Sequence, residues 1–168
     1  IGMAVPVFMV ITGYVSAMSF QTHTHGLKDA YRPTEILRKW LRFVVPFLPI
    51  YAFQVVWSYV VLQKSFSKYT LAKFFLEGGD GPGSYYFPVM LQMVIILPIV
   101  CAVIKRFRRK GLIGFFAANV LFEIGKTYGG MNPLTYRLCA LRYLFIVAFG
   151  VYLYYRKPED KSPLRFIA

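Results

Sequence analysis

The stretch VPVFMVITGYVSAMSF, residues 5–20, decides what kind of chain this is. It is apolar nearly throughout, yet it opens on a proline and carries Thr12, Gly13, Tyr14, Ser16 and Ser19. A helix rises ~1.5 Å per residue, so about 20 residues cross a ~30 Å hydrocarbon core. Residues 5–20, 43–62, 85–104 and 138–155 fit that length. A fifth run, 112–124, is shorter and interrupted by Asn119 and Glu123; it spans only if extended toward Tyr128, and a re-entrant segment is the competing reading. A full span is preferred because it keeps the charge alternation consistent.

Composition agrees with this reading. Hydrophobic residues make up 57% of the 168, above the roughly half expected of a soluble domain. The formal charge is nevertheless +13, with 20 Lys and Arg against 7 Asp and Glu. The two properties are segregated, long apolar runs alternating with short basic clusters, as in a polytopic membrane protein. A nucleic-acid binder would share the basicity but not the spanning runs. The expected fold is all-α, a bundle of about five transmembrane helices over residues 1–156, with 157–168 a cytoplasmic connector or tail.

The basic residues also orient the chain. Successive connections carry five, three, five and two Lys or Arg, and the tail from Arg156 carries four. The richer loops belong in the cytoplasm, so the first span runs from outside to inside. Anchoring to anionic lipid headgroups accounts for most of the charge. An outside N-terminus with no signal peptide in view implies an upstream helix. Cys101 and Cys139 fall on different spans near opposite faces and are expected as free thiols. His23 and His25 offer two ligands with no close carboxylate, so no metal site is expected.

Beyond packing, VPVFMVITGY resembles the second helix of the acyltransferase 3 family of bacterial membrane proteins, which reads roughly VPlFFviSGY. Val5, Pro6, Phe8, Val10, Ile11, Gly13 and Tyr14 match; Thr12 keeps the hydroxyl of the usual Ser, and Met9 stands for Phe. The resemblance continues in order through ILRKWLRFVVPF with Arg38, Arg42 and Pro46, through SYYFPVMLQ with Tyr86 and Phe87, and through RYLFIVAFGVYL with Gly150. It implies a membrane-bound enzyme of the bacterial inner membrane. Such enzymes move an acyl group, often acetyl, from a cytoplasmic donor such as acyl-CoA to a hydroxyl of a cell-surface or exported carbohydrate. Lipids would surround it, and no bound cofactor, metal or nucleic acid is implied. The family's catalytic Arg and His lie on the helix before VPlFFviSGY, so catalytic residues are expected upstream. The alternative is a non-catalytic relative acting as a sensor or as a subunit of a glycan or lipid transporter.

Three sets of residues become candidates. Arg38 and Arg42, at i and i+4, share a helix face and suit the phosphates of an acyl-CoA, because guanidinium forks match phosphate geometry. The family uses basic residues here similarly; Lys39 and Arg32 are secondary. Thr12, Gly13 and Tyr14 would line the acyl path or let helices pack closely. Glu123 and Arg142 fall at similar depth on successive spans, as a buried pair that either fixes two helices or lines the acceptor pocket.

Overall fold

The computed structural model describes residues 4–23, 27–61, 63, 67–79 and 85–156. His25, most of the glycine-rich connection at 78–83 and the tail 157–168 lie outside the described residues. Helices α1 (Ala4–His23), α2 (Leu27–Ala30), α3 (Pro33–Val60), α4 (Lys68–Leu76), α5 (Tyr86–Phe107), α6 (Arg109–Gly129), α7 (Pro133–Leu138) and α8 (Leu144–Arg156) follow one another, with a 3-10 turn, Ala140–Tyr143, leading into α8. No strand occurs among the described residues.

Local chemistry explains several boundaries. Pro33 and Pro133 occupy first-turn positions of α3 and α7, where their missing N–H groups cost nothing. Ser67 and Asn132 cap α4 and α7, accepting from Thr70 N (3.2 Å) and Leu134 N (2.9 Å). Gly130, left-handed at φ +61°, closes α6. Arg108 separates α5 from α6 at φ +46°, a conformation that strains a residue with a Cβ. Its guanidinium donates to the Tyr155 carbonyl at the end of α8 (3.1 Å), which ties three helix ends together.

Three parallel helices form the centre. Phe8 meets Tyr86 edge-on, and Ala17 packs with Val100, Cys101 and Ile104, so α1 and α5 run the same way. Met9 shares a buried cluster with Val147 and Tyr14 meets Tyr154 edge-on at 5.4 Å, so α8 runs with them. The α1–α8 contact is the most extensive among the described helices. A Cβ on Gly13 would collide with the Val147 carbonyl oxygen, and one on Gly150 with the Val10 carbonyl oxygen. Two glycines thus face each other's helix backbones, as in membrane packing driven by close approach rather than by exclusion of water. Met9, Met93, Val147 and Val151 are fully buried around this contact.

The other two long helices run antiparallel to the centre. On α6, Asn119 bonds to the carbonyls of Leu141 (2.9 Å) and Arg142 (3.2 Å), and Phe116 meets Phe145. On α3, Trp40 Nε1 donates to the Leu91 carbonyl (3.1 Å) and Phe47 stacks on Phe87 at 3.8 Å. Val5–Thr22, Pro33–Val60 and Tyr86–Phe107 are long and apolar enough to cross a membrane. Only 6% of the α3 span is buried, and Phe53, Val56, Trp57 and Tyr59 stand exposed; such a surface suits lipid, not water. Three such helices, one of them almost bare of protein contacts, are those of an integral membrane protein.

The remaining two expected spans differ in detail. The run at 112–124 is helical from Arg109 to Gly129, 21 residues, or about 31 Å by helical rise. It carries Arg109, Lys110, Glu123 and Lys126 and is not among the three apolar spans. The expected continuous span at 138–155 is broken: α7 ends at Leu138, Cys139 is extended, and regular helix resumes at Leu144. The physical reason is substitution of side chains for the helical ladder. Gln92 of α5 donates to the Leu138 carbonyl (2.7 Å) and accepts from Ala140 N (3.1 Å), while Asn119 takes the next carbonyls.

Candidate active site

A cavity of about 260 Å³ lies between α1, α3 and α5. From α1 come Thr12, Ser16, Ser19 and Phe20; the hydroxyls at i, i+4 and i+7 form one row. From α5 come Met90, Met93, Val94, Pro98 and Cys101, an apolar wall. Pro98 has no N–H, so the Val94 carbonyl lacks its helical donor beside the cavity. From α3 come Lys39, Arg42 and Phe43.

The two cations are the chemically pointed feature. Neither Lys39 nor Arg42 has a carboxylate within salt-bridge distance among the described residues, where the ion pairs are Arg32–Asp29, Arg38–Glu35 and Lys73–Glu77. The start of α3 is also set back into the bundle. Tyr31, just before it, donates to the Ile95 carbonyl (2.6 Å), 12 residues or about 18 Å short of the end of α5 at Phe107. Burial pushes the Tyr31 phenol up from its ordinary value. Lys39, half-buried, and Arg42, exposed, thus lie deeper along α5 than Lys105 and Arg106, at the side of the cavity. Cations held within the membrane profile and left unpaired ordinarily line a pathway or await an anion.

Each residue singled out in the sequence has a definite place. Arg42 lines the cavity, and Lys39 joins it. Arg38 does not: its guanidinium turns to Glu35 (3.4 Å), and the side chain is 64% exposed. The Thr-Gly-Tyr step divides three ways. Thr12 lines the cavity beside Tyr86, its hydroxyl bonded back to the Phe8 carbonyl (2.8 Å); Gly13 seats α8; Tyr14 meets Tyr154.

Glu123 and Arg142 are half-buried, and no ion pair joins them. Both engage Tyr136 of α7 instead. The Tyr136 hydroxyl donates to Glu123 Oε1 (2.7 Å), while Arg142 lies over the ring at 4.7 Å and Lys126 at 4.1 Å. Burial, and then the bond to Glu123, push the Tyr136 phenol up. The aromatic ring is the bridge that a search for opposite charges could not see. Cys101 and Cys139 are free thiols, and no group of three or more metal-ligating side chains gathers among the described residues.

In the sequence Ser16 and Ser19 stood out only as polar interruptions of an apolar run, with no site role, and Met90 and Met93 did not stand out at all. The hydroxyl spacing was visible, but only the packing shows that this face of α1 meets α3 and α5.

A family model described as an acyltransferase domain matches residues 1–167. The chain belongs to the acyltransferase 3 family. The match covers nearly the whole chain and so includes all three walls of the cavity. No curated protein and no solved structure matches the chain. In an acyltransferase 3 domain, a cavity with unpaired cations at one side and an apolar wall at the other can hold an anionic donor and shelter a group from water.

Proposed function

We propose that this acyltransferase 3 domain transfers an acyl group from a cytoplasmic acyl-CoA to a hydroxyl of a cell-surface or exported carbohydrate, in the bacterial inner membrane. The observation that carries the reading is the pair of unpartnered cations, Lys39 and Arg42, on an otherwise apolar and hydroxylic cavity. They would hold the donor's phosphates by charge-assisted hydrogen bonds, the guanidinium in a two-pronged contact and the ammonium as a point charge. Arg38, one turn from Arg42 and already paired, takes a lesser part at the entrance.

In the transfer, an acceptor hydroxyl oxygen attacks the thioester carbonyl, the C–S bond breaks, and the hydroxyl proton ends on the departing thiol. The base that carries this proton is expected on the helix preceding VPVFMVITGY, as the family pattern implies. This domain's own residues bind and orient the donor, and the apolar wall of α5 keeps water from the thioester.

The test is incubation of membranes holding the full-length protein with acetyl-CoA labelled in the acetyl group, followed by analysis of surface glycans. Label on carbohydrate, lost when Lys39 and Arg42 are replaced together, supports the reading. Glycans that stay unlabelled while the donor stays intact refute it.

A further inference from the structure

We propose that the end of the bundle opposite Lys105 and Lys110 receives an acidic carbohydrate, one whose sugars carry carboxylates. The proposal rests on the acceptor half of the reading above and names the acceptor's charge. Its basis is a ladder of cations and aromatic rings that four elements bring together. Arg137 of α7 lies 5.0 Å from the ring of Tyr85, at the start of α5. Arg142, in the 3-10 turn, lies over Tyr143 at 4.8 Å and over Tyr136 of α7 at 4.7 Å. Lys126, in the last turn of α6, lies 4.1 Å from the Tyr136 ring. Tyr85 packs against the buried cluster that holds Tyr143, which joins the two halves of the ladder.

The three cations have donors to spare. Among the described residues, none of them pairs with a carboxylate and none donates a side-chain hydrogen bond; the guanidinium groups that do are those of Arg32, Arg38, Arg108 and Arg109. A ring face balances part of a cation's charge and steadies it, but leaves its remaining N–H groups without an acceptor. Membrane anchoring does not account for them. The loop charges place this end outside, where the positive-inside rule asks for few cations. Acceptors lie in the same place: Glu123 takes the Tyr136 hydroxyl on Oε1 (2.7 Å), and a carboxylate has lone pairs for further donors. The cations suit an acid group, the carboxylate suits sugar hydroxyls, and the ring faces suit sugar C–H bonds. A lipid phosphate would use the cations alone.

The ladder also adjoins the donor site. Tyr143 is buried in one cluster with Met90 and Met93, and both methionines line the cavity between α1, α3 and α5. Arg137, at the other extreme, is exposed, and Arg142 and Lys126 between them are half-buried. The ladder thus begins at the cavity wall and ends at the surface, and a glycan held on it is kept beside the donor.

The experiment uses the full-length protein in phosphatidylcholine discs. Binding of a galacturonate tetramer is compared with that of its methyl ester, the same sugar with its carboxylates capped, and labelled acetyl-CoA is measured alongside. The free acid should bind at least tenfold more tightly than the ester. Arg137→Gln and Arg142→Gln should each weaken the free acid about tenfold, as loss of one charge-assisted contact does, and leave the ester and acetyl-CoA unchanged. Arg142→Lys should recover part of the loss, and a Lys105→Gln/Lys110→Gln control should change nothing. Arg137→Gln, at an exposed side chain, decides the matter should Arg142→Gln fail to fold. No preference for the acid, whether both sugars bind or neither does, or equal weakening in the control, overturns the acidic-carbohydrate site and leaves the donor site standing. Phosphatidylglycerol that co-purifies with the wild type and not with Arg137→Gln, with no galacturonate bound, assigns the ladder to lipid headgroups and overturns it as well. Failure of the wild type to bind acetyl-CoA while the free acid binds overturns the donor reading and not this one.

Discussion

Gly13→Ala and Gly150→Ala each add one methyl where the opposing helix presents backbone. No rotamer change can relieve that overlap, because a carbonyl moves only with its helix. To restore ordinary contact, α1 and α8 must part by roughly 1 Å, and overpacking of this kind costs about 1–3 kcal/mol. Alanine also favours helix over glycine by up to about 1 kcal/mol, which would mask part of the loss. Gly114→Ala and Gly125→Ala supply the reference. Both add the same methyl on α6, with nothing within 4 Å.

The double variant is the sharper test. One separation of α1 from α8 relieves both overlaps, so the two losses should not add. The double should fall within about 1 kcal/mol of the worse single, a coupling expected of residues sharing a contact. The assay is heating in detergent micelles, with the surviving monodisperse fraction followed by size-exclusion chromatography. For a chain of this size, 1 kcal/mol shifts the midpoint by about 2–4 °C. Singles as stable as Gly114→Ala, or a double equal to the sum, would refute the close-contact account.

Tyr136→Phe should cost about 1–3 kcal/mol in the same assay by stranding Glu123, and exchanging Glu123 and Arg142 should not restore stability to either single charge reversal; full recovery in the exchange would mean that the two meet directly. Gln92→Leu should cost a similar amount, because it leaves the Leu138 carbonyl and the Ala140 N–H unpaired at the break before α8; a neutral result would mean that another group holds the break. A single cysteine at Ser67 should react with an impermeant thiol reagent from outside and one at Lys105 should not; the opposite labelling would invert the orientation read from the basic loops.

Four of the five apolar runs lie in continuous helices, because in lipid the backbone has little alternative, while the run at 138–155 is broken. What could not be read was where a helix would stop without a proline or glycine. The break at 138–144 has neither; it depends on Gln92 and Asn119 reaching from two other helices. Gly13 was legible as a packing residue from its neighbours alone, yet Val147 as its seat was not, since parallel α1 and α8 lie more than a hundred residues apart. The basic patch was visible as a patch. That Lys39 and Arg42 border the cavity while Arg38 pairs with Glu35 depends on the angle at which α3 meets α5, which no periodicity encodes.

The central claim is that Lys39 and Arg42 hold the donor's phosphates. The most direct measurement is binding of labelled acetyl-CoA to membranes holding the full-length protein, with Lys39→Ala and Arg42→Ala compared against a Lys105→Ala/Lys110→Ala double variant. The latter pair is exposed and carries equal charge at the same basic end, whereas Arg108 and Arg109 bond to Tyr155 and Tyr152 and would disturb α8. Loss of one charge-assisted phosphate contact removes about 1.5–3 kcal/mol, or roughly ten- to a hundred-fold in affinity. The account predicts that loss for Lys39→Ala and for Arg42→Ala, partial recovery in Arg42→Lys, a smaller effect for Arg38→Ala, and near-wild-type binding in the Lys105/Lys110 control. Equal weakening in the control, or unchanged binding without both cavity cations, would contradict it.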